Sequence, residues 1–176
     1  MFQIGPLVVQ DTEQKNLNKF NFMRRRRPER REILPDPVYN DLLVAKFINY
    51  IMKRGKKGVA EKIFYGSMNI IKKRTKTDGL KIFQKAIENA SPSVEVKSKR
   101  IGGATYQVPI EVPKSRRFYL SSHWIIKSAK GRTGRPMSDS LASELISAAN
   151  DEGGAIKKKD DTHRMAEANR AFAHFR

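Results

Sequence analysis

No cysteine occurs in the 176 residues, so a disulfide framework, a thiolate metal site and a cysteine nucleophile are all excluded. That lack is compatible with a reducing compartment. Long apolar runs are also missing: none approaches the roughly 20 residues that a bilayer-spanning helix requires. Acids are scarce, 18 Asp plus Glu against 36 Lys plus Arg, which leaves a formal net charge of +18. An excess of that size points to a polyanionic partner, with RNA or DNA the commonest. The first 22 residues hold no arginine and carry Asp11 and Glu13, unlike a secretory signal or an Arg-rich transit peptide. The hydrophobic fraction, 39%, suffices for one core and argues against wholesale disorder.

What is present is concentrated. Arg24, Arg25, Arg26, Arg27, Arg30 and Arg31 form a run opposed only by Glu29. Six guanidinium groups cannot all find buried anions, so the run reads as an arm that takes its counter-charge from outside. Residues 1–22 ahead of it read as an extension. Domain 23–176 then divides into the arm (23–35), a helical body (36–92 and 114–176) and a hairpin (93–113).

Periodicity supplies the elements. Asp36-Pro37 offers an N-cap followed by proline at the first helical position, and Val44, Phe47, Ile48, Ile51 and Met52 follow as one apolar face. A second helix from near Gly58 carries Ala60, Ile63, Phe64, Ser67, Met68 and Ile71. A third, after Asp78, carries Leu80, Phe83, Ile87 and Ala90. The period then changes to two: Val94 and Val96, then Tyr106, Val108, Ile110 and Val112, around Gly102-Gly103, predict a β-hairpin. Pro109 restricts it to an exposed two-stranded ribbon. Helical spacing resumes at Phe118, Trp124, Ile125 and Ala129, where Trp124 reads as core. It returns at Leu141, Ala142, Leu145, Ile146 and Ala149, and again at Met165, Ala168, Phe172 and Phe175. The expected fold is therefore mainly α: a six-helix, bundle-like domain with one protruding hairpin between the third and fourth helices, plus a basic N-terminal arm.

Cations recur on the hairpin (Lys97, Lys99, Arg100) and in an acid-free stretch that includes Arg116 and Arg117. Each phosphate they neutralise would release condensed counterions, giving salt-sensitive binding with little base readout. At the hairpin tip, Gly102, Gly103 and Ala104 let backbone approach a ligand closely. Tyr106 fits either stacking on a base or packing on Val96 across the strands. Catalytic readings fare worse. His163, Glu167 and His174 lack the spacing of a zinc motif and read as helix surface, so no metal is expected. Ser121, Ser122 and His123 lack a nucleophile motif. Lys56-Lys57-Gly58 lacks the frame of a phosphate-binding loop. No enzyme, cofactor or small-molecule substrate is expected.

Three blocks carry a resemblance: Gly55-Lys56-Lys57 before a helix, EVKSKRIGGATYQVP at residues 95–109, and DTHRMAEANRAFAHF at 161–175. From Met23 to Arg176 the chain resembles small-subunit ribosomal protein seven of bacterial type. The resemblance implies a primary binder of the 3′ domain of small-subunit rRNA that nucleates assembly of the subunit head. It further implies a place at the subunit interface near exit-site tRNA and the mRNA path, beside ribosomal proteins nine and eleven. The arm arginines, Lys56, Lys57, Lys97, Lys99, Arg100, Arg116 and Arg117 would then contact rRNA. Gly102, Gly103, Ala104, Tyr106, Arg164 and Arg170 would lie near tRNA or mRNA. The implied location is the cytoplasmic ribosome of a bacterium, or alternatively an organellar ribosome. Relatives tend to begin near the arginine arm, which makes Met23 an alternative start. The rival readings are a free-standing nucleic-acid-binding regulator, which would need a base-reading recognition helix, and an RNA-processing enzyme.

Overall fold

A computed structural model describes residues 32–175. The arm residues Arg24 to Arg27, Arg30 and Arg31, and the extension 1–22, lie outside the described residues. Every element below belongs to the unit Leu34–Arg176.

Helix α1 (Leu42–Ile51) starts later than the sequence suggests. Its cap is Asp41, whose carboxylate accepts from the Leu43 N–H at 2.7 Å. Asp36 instead closes a separate turn, accepting from the N–H groups of Val38 and Tyr39 at 3.1 and 3.0 Å and from the Tyr65 hydroxyl at 2.7 Å. Between the two aspartates Asn40 sits at φ +49°, a left-handed step that no continuous helix from Pro37 could contain. Helix α2 (Lys57–Thr75) ends on Lys72, Lys73 and Arg74, cations that suit the negative end of a helix dipole. Helix α3 (Gly79–Asn89) is capped by Asp78, which accepts from the Leu80 N–H. Gly79 is required by proximity: a Cβ there would stand 3.1 Å from the Met68 carbonyl of α2.

The ribbon follows, β1 (Val94–Ile101) paired antiparallel with β2 (Ala104–Glu111) in a register running from Val94↔Glu111 to Ile101↔Ala104. Gly102 and Gly103 turn it at φ +56° and +88°, positive at both central positions as the tightest hairpin turns demand. Only its outer half is exposed. The foot buries Val108, Pro109 and Glu95, the last a carboxylate where a polar, outward residue was expected. Helices α4 (Lys114–Gly131), α5 (Met137–Ala149) and α6 (Gly154–Ala168) complete the body. The predicted last helix stops short, and Arg170–Phe175 is a separate 3-10 turn. Met165 and Ala168 are exposed, because the buried face of α6 is Ala155, Ile156, Thr162 and Ala166.

The core lies where α5 meets α2, α3 and α4. Leu141, Ala142, Leu145 and Ala148 of α5 are inaccessible to water. Phe47, Phe64 and Phe83, one from each of the first three helices, meet at centroid distances of 5.8, 5.0 and 5.4 Å. Two of these contacts are edge-to-face and one is tilted, geometries that add to what burial alone contributes. No helix among the described residues is long and apolar enough to cross a membrane.

Candidate nucleic-acid interface

Two helices open with the wrong charge for their own dipoles. The N-terminus of a helix carries unsatisfied N–H groups and partial positive charge, so acids normally stand there. Helix α2 begins with Lys56 and Lys57, without a side-chain cap or an acid in its first turn. Helix α4 begins after Pro113 with Lys114, Arg116 and Arg117, again without a cap or an acid. Among the described residues no acid stands in the first turn of either helix, an arrangement that suits an anion from outside.

The cations around the ribbon's foot share what negative charge there is. Glu95, 11% exposed at its side chain, lies 3.6 Å from the Lys97 ammonium and 3.4 Å from the Arg116 guanidinium. Two cations thus meet one carboxylate. The Arg116 guanidinium also lies 5.0 Å from the Tyr119 ring centre. Arg117 donates through Nε to the Val112 carbonyl at 2.8 Å and so bolts α4 to the end of β2. His163 of α6 accepts from the Ser93 N–H at 3.2 Å, a second tie to the ribbon's foot. That bond turns His163 away from a shared site with Glu167, which pairs with Arg170 at 3.4 Å. Among the described residues, no three His, Asp or Glu converge on a point where a metal could sit. Ser121 and Ser122 are buried beneath the exposed His123.

Further out the ribbon has two unlike faces, since successive side chains on a strand alternate. Lys99 stands opposite Tyr106, and both are engaged by the C-terminal turn. The Lys99 ammonium donates to the Phe175 carbonyl at 2.7 Å. The Tyr106 ring packs 5.3 Å from Phe172 and 5.1 Å from Phe175, centre to centre. Tyr106 therefore packs neither on Val96, which faces Pro109, nor into open solvent. Arg100, one step along, points to the other face and is exposed. The tip residues Gly102, Gly103 and Ala104 are exposed, with nothing within 4 Å of either glycine's Cβ position. Arg164 and Arg170 are each 81% exposed at the side chain and make only local pairs, with Asp161 and Glu167. Such surface pairs are weak.

Phe172 should therefore matter to the ribbon more than to the body. In Phe172→Ser, ring contacts worth about 1–2 kcal/mol in total are lost. Amide exchange at Lys99 and Tyr106 should accelerate about tenfold, with the thermal midpoint of the helical body little changed. Hydrogen exchange read residue by residue checks this.

Two basic hollows were not singled out from the sequence. Lys53, Lys56 and Lys130 rim one whose walls are Met52, Val59, Ile63 and Met137. Burial, and then the neighbouring Lys53 charge, push the Lys130 pKa below its ordinary value. The other hollow, between α4 and α6, is lined by His123, Trp124, Lys127 and Lys158. Trp124 is half-buried: it packs against the core and also lines this hollow. The signal for both was the acid-free lysines of α4 at positions 127 and 130, which stand one helical turn apart.

Residues 23–170 match the family model described as ribosomal protein S7p/S5e. The chain is 59% identical over 154 residues to the small ribosomal subunit protein uS7 of Thermotoga neapolitana, covering 88% of this chain and 99% of that protein. It is 58% identical over the same length to the protein of that name from Thermotoga maritima, with the same coverage. To that of Syntrophobacter fumaroxidans it is 57% identical over 153 residues, 87% of this chain and 98% of the relative.

Proposed function

Because this chain belongs to the ribosomal protein S7p/S5e family and is thus a structural component of the small ribosomal subunit, we propose that it binds the 3′ domain of small-subunit rRNA and nucleates assembly of the subunit head. The observation that carries this is the pair of cation-bearing, uncapped helix N-termini at Lys56 and Lys114. Among the described residues the cations at these termini and on the ribbon outnumber the carboxylates beside them, Glu61 and Glu95. Folded rRNA phosphates supply the remaining negative charge. Recognition is by shape and backbone charge, because the ribbon offers cations and glycines rather than a row of base-reading side chains.

In this reading Lys56, Lys57, Lys97, Lys99, Arg100 and Arg116 contact rRNA, as do the arm arginines from Arg24 to Arg31. Arg117 contributes chiefly by holding the ribbon on α4. The tip at Gly102, Gly103 and Ala104 approaches exit-site tRNA and the mRNA path, with Tyr106 behind it, and Arg164 and Arg170 lie near RNA at the subunit interface. Ribosomal proteins nine and eleven are the neighbours. The location in this reading is the ribosome of a bacterial cytoplasm, which the bacterial relatives support, with an organellar ribosome as the alternative. No catalytic role is proposed.

Sedimentation tests the whole: the chain should travel with the small subunit at physiological salt and be released by nuclease. Migration as a free protein would favour a stand-alone regulator. Residues 1–22 are assigned no part in rRNA binding. Their deletion should change affinity for an isolated 3′-domain rRNA fragment by less than about twofold, because they add no net charge. A filter-binding titration of full-length and shortened chains decides this.

A further inference from the structure

One hollow of the body joins an aromatic wall to free cations and takes no part in the rRNA contacts proposed above. It lies between α4 and α6, has a volume of about 520 Å³, and is lined by His123, Trp124, Lys127, Ser128, Gly154 and Lys158. Small-molecule sites run to roughly 300–1,000 Å³. The floor is tight: a Cβ at Gly154 would collide with the Ser128 hydroxyl, so α6 begins directly against α4. Trp124, the sole tryptophan of the chain, is half-buried and packs on the core while it lines the hollow. Its indole N–H donates to no group among the described residues.

No carboxylate lines the hollow. Lys127 comes to it from α4 and Lys158 from α6, and both are exposed. Neither forms an ion pair among the described residues. Glu144 stands behind Gly154, 3.8 Å from its Cβ position, but is wholly buried and paired with Arg132 at 2.7 Å. His123 is held by its own helix, with Nδ1 3.1 Å from the Tyr119 carbonyl and the two rings 4.1 Å apart. An apolar ligand would leave the two ammonium groups unused, and an inorganic anion would leave the indole face unused. A nucleotide engages both, because bases stack on aromatic rings while ammonium groups neutralise phosphate. The other basic hollow, at Lys53, Lys56 and Lys130, has aliphatic and methionine walls but no aromatic ring.

We propose that the hollow between α4 and α6 takes one nucleotide of the bound RNA, swung out of its helix. The base lies against the Trp124 indole and the phosphate between Lys127 and Lys158. The proposal rests on the rRNA-binding reading and adds to it a subsite for a single nucleotide. It supplies a stacking contact that the ribbon does not offer, since the Tyr106 ring is engaged by Phe172 and Phe175. Stacking tolerates any base, so the subsite adds affinity and register without sequence readout. A free nucleotide shares this chemistry, and the test separates the two sources.

Fluorescence of the sole tryptophan reports on the site in the full chain. Titrated at low salt, 5′-AMP should quench Trp124 saturably with a Kd of about 1 mM, the scale of one stacked base plus one phosphate. Ribose 5-phosphate, which has no base, should leave the emission unchanged. In the double variant Lys127→Ala, Lys158→Ala the Kd for 5′-AMP should rise at least about tenfold. Both lysines are exposed, so their loss spares the fold. A 3′-domain rRNA fragment should itself quench Trp124 and abolish the response to 5′-AMP. In filter binding, Trp124→Leu should weaken fragment affinity about tenfold and Trp124→Phe less than about threefold. No quenching by 5′-AMP up to about 20 mM, an equal response in the double variant, or unchanged fragment affinity in a folded Trp124→Leu chain overturns the proposal. So does a fragment-bound chain that still takes up 5′-AMP, which would give the hollow to a free nucleotide. A wild-type chain that binds no fragment brings down the rRNA reading and this subsite with it, and filter binding shows that outcome separately. If Trp124→Leu fails to fold, the lysine variant and the competition between fragment and 5′-AMP decide.

Discussion

Replacing Lys97, Lys99 and Arg100 together by alanine should weaken binding to a 3′-domain rRNA fragment about a hundredfold at 0.15 M salt. Each phosphate contact contributes about 0.7 to 0.9 to the slope of log affinity against log salt, or roughly fivefold in affinity at that concentration. Three contacts multiply to about a hundredfold, and the slope should fall by about 2 to 3. The single variants should not be equal. Lys97 already shares Glu95 with Arg116, so part of its charge is satisfied before RNA arrives. Lys99 holds the Phe175 carbonyl, so Lys99→Ala should also raise amide exchange in the ribbon. Arg100 has neither tie, and Arg100→Ala should show the purest electrostatic loss. Titrations at several salt concentrations measure all of this. An unchanged slope in the triple variant would remove the ribbon from the rRNA contact.

The largest loss of stability from a polar substitution is expected at Glu144→Ala. Glu144 is wholly buried in α5. One carboxylate oxygen accepts from the Arg132 guanidinium at 2.7 Å, and the other from the Ala155 N–H at 3.0 Å. It thereby ties the loop after α4 and the first turn of α6 to the central helix. Gly153, at φ +96°, makes room for it, since a Cβ there would stand 3.0 Å from the same oxygen. Removing the carboxylate leaves the Ala155 N–H buried without an acceptor and costs about 3 kcal/mol. Glu144→Gln keeps an acceptor and should lose roughly half as much. Urea unfolding of the free chain measures both, and equal midpoints for wild type and Glu144→Ala would show that the tie contributes nothing.

Much of this fold is legible in the sequence because apolar periodicity is a backbone-scale signal. Of the expected stripe, Val44, Phe47, Ile48 and Ile51 become the buried face of α1 together with Ala45, while Met52 falls just past the helix end and is half-buried; the change of period at Val94 locates the ribbon. The errors sit where two local solutions are nearly equal in energy. Asp36-Pro37 and Asp41-Leu42 both suit a helix start, and the left-handed Asn40 between them decides for the second. Met165, Ala168, Phe172 and Phe175 have helical spacing. The helix nevertheless ends near Asn169, whose side chain bonds back to the Met165 carbonyl, and the two rings turn onto Tyr106.

The candidate interface was legible as charge but not as pairing. Glu95 and Arg116 are joined across 21 positions of sequence, and no spacing rule reaches that far. Glu144 left a trace: it stands three residues after Leu141 and four before Ala148, inside an apolar face. A carboxylate in that position must have a donor waiting, a deduction periodicity invites without naming the donor.

The strap across Lys99 and Tyr106 also sets an order of events during translation. Both strands emerge about sixty residues before Phe172 and Phe175, several seconds at ordinary elongation rates. For that interval a nascent chain carries a hairpin whose outer half has nothing to lean on, and an isolated two-stranded ribbon is marginal in water. A polypeptide stopped between Ala168 and Arg170 would keep all six described helices yet have a ribbon without its strap. If the ribbon contacts rRNA as proposed, tight engagement would be reserved for chains whose synthesis has passed that point, a form of proofreading by length.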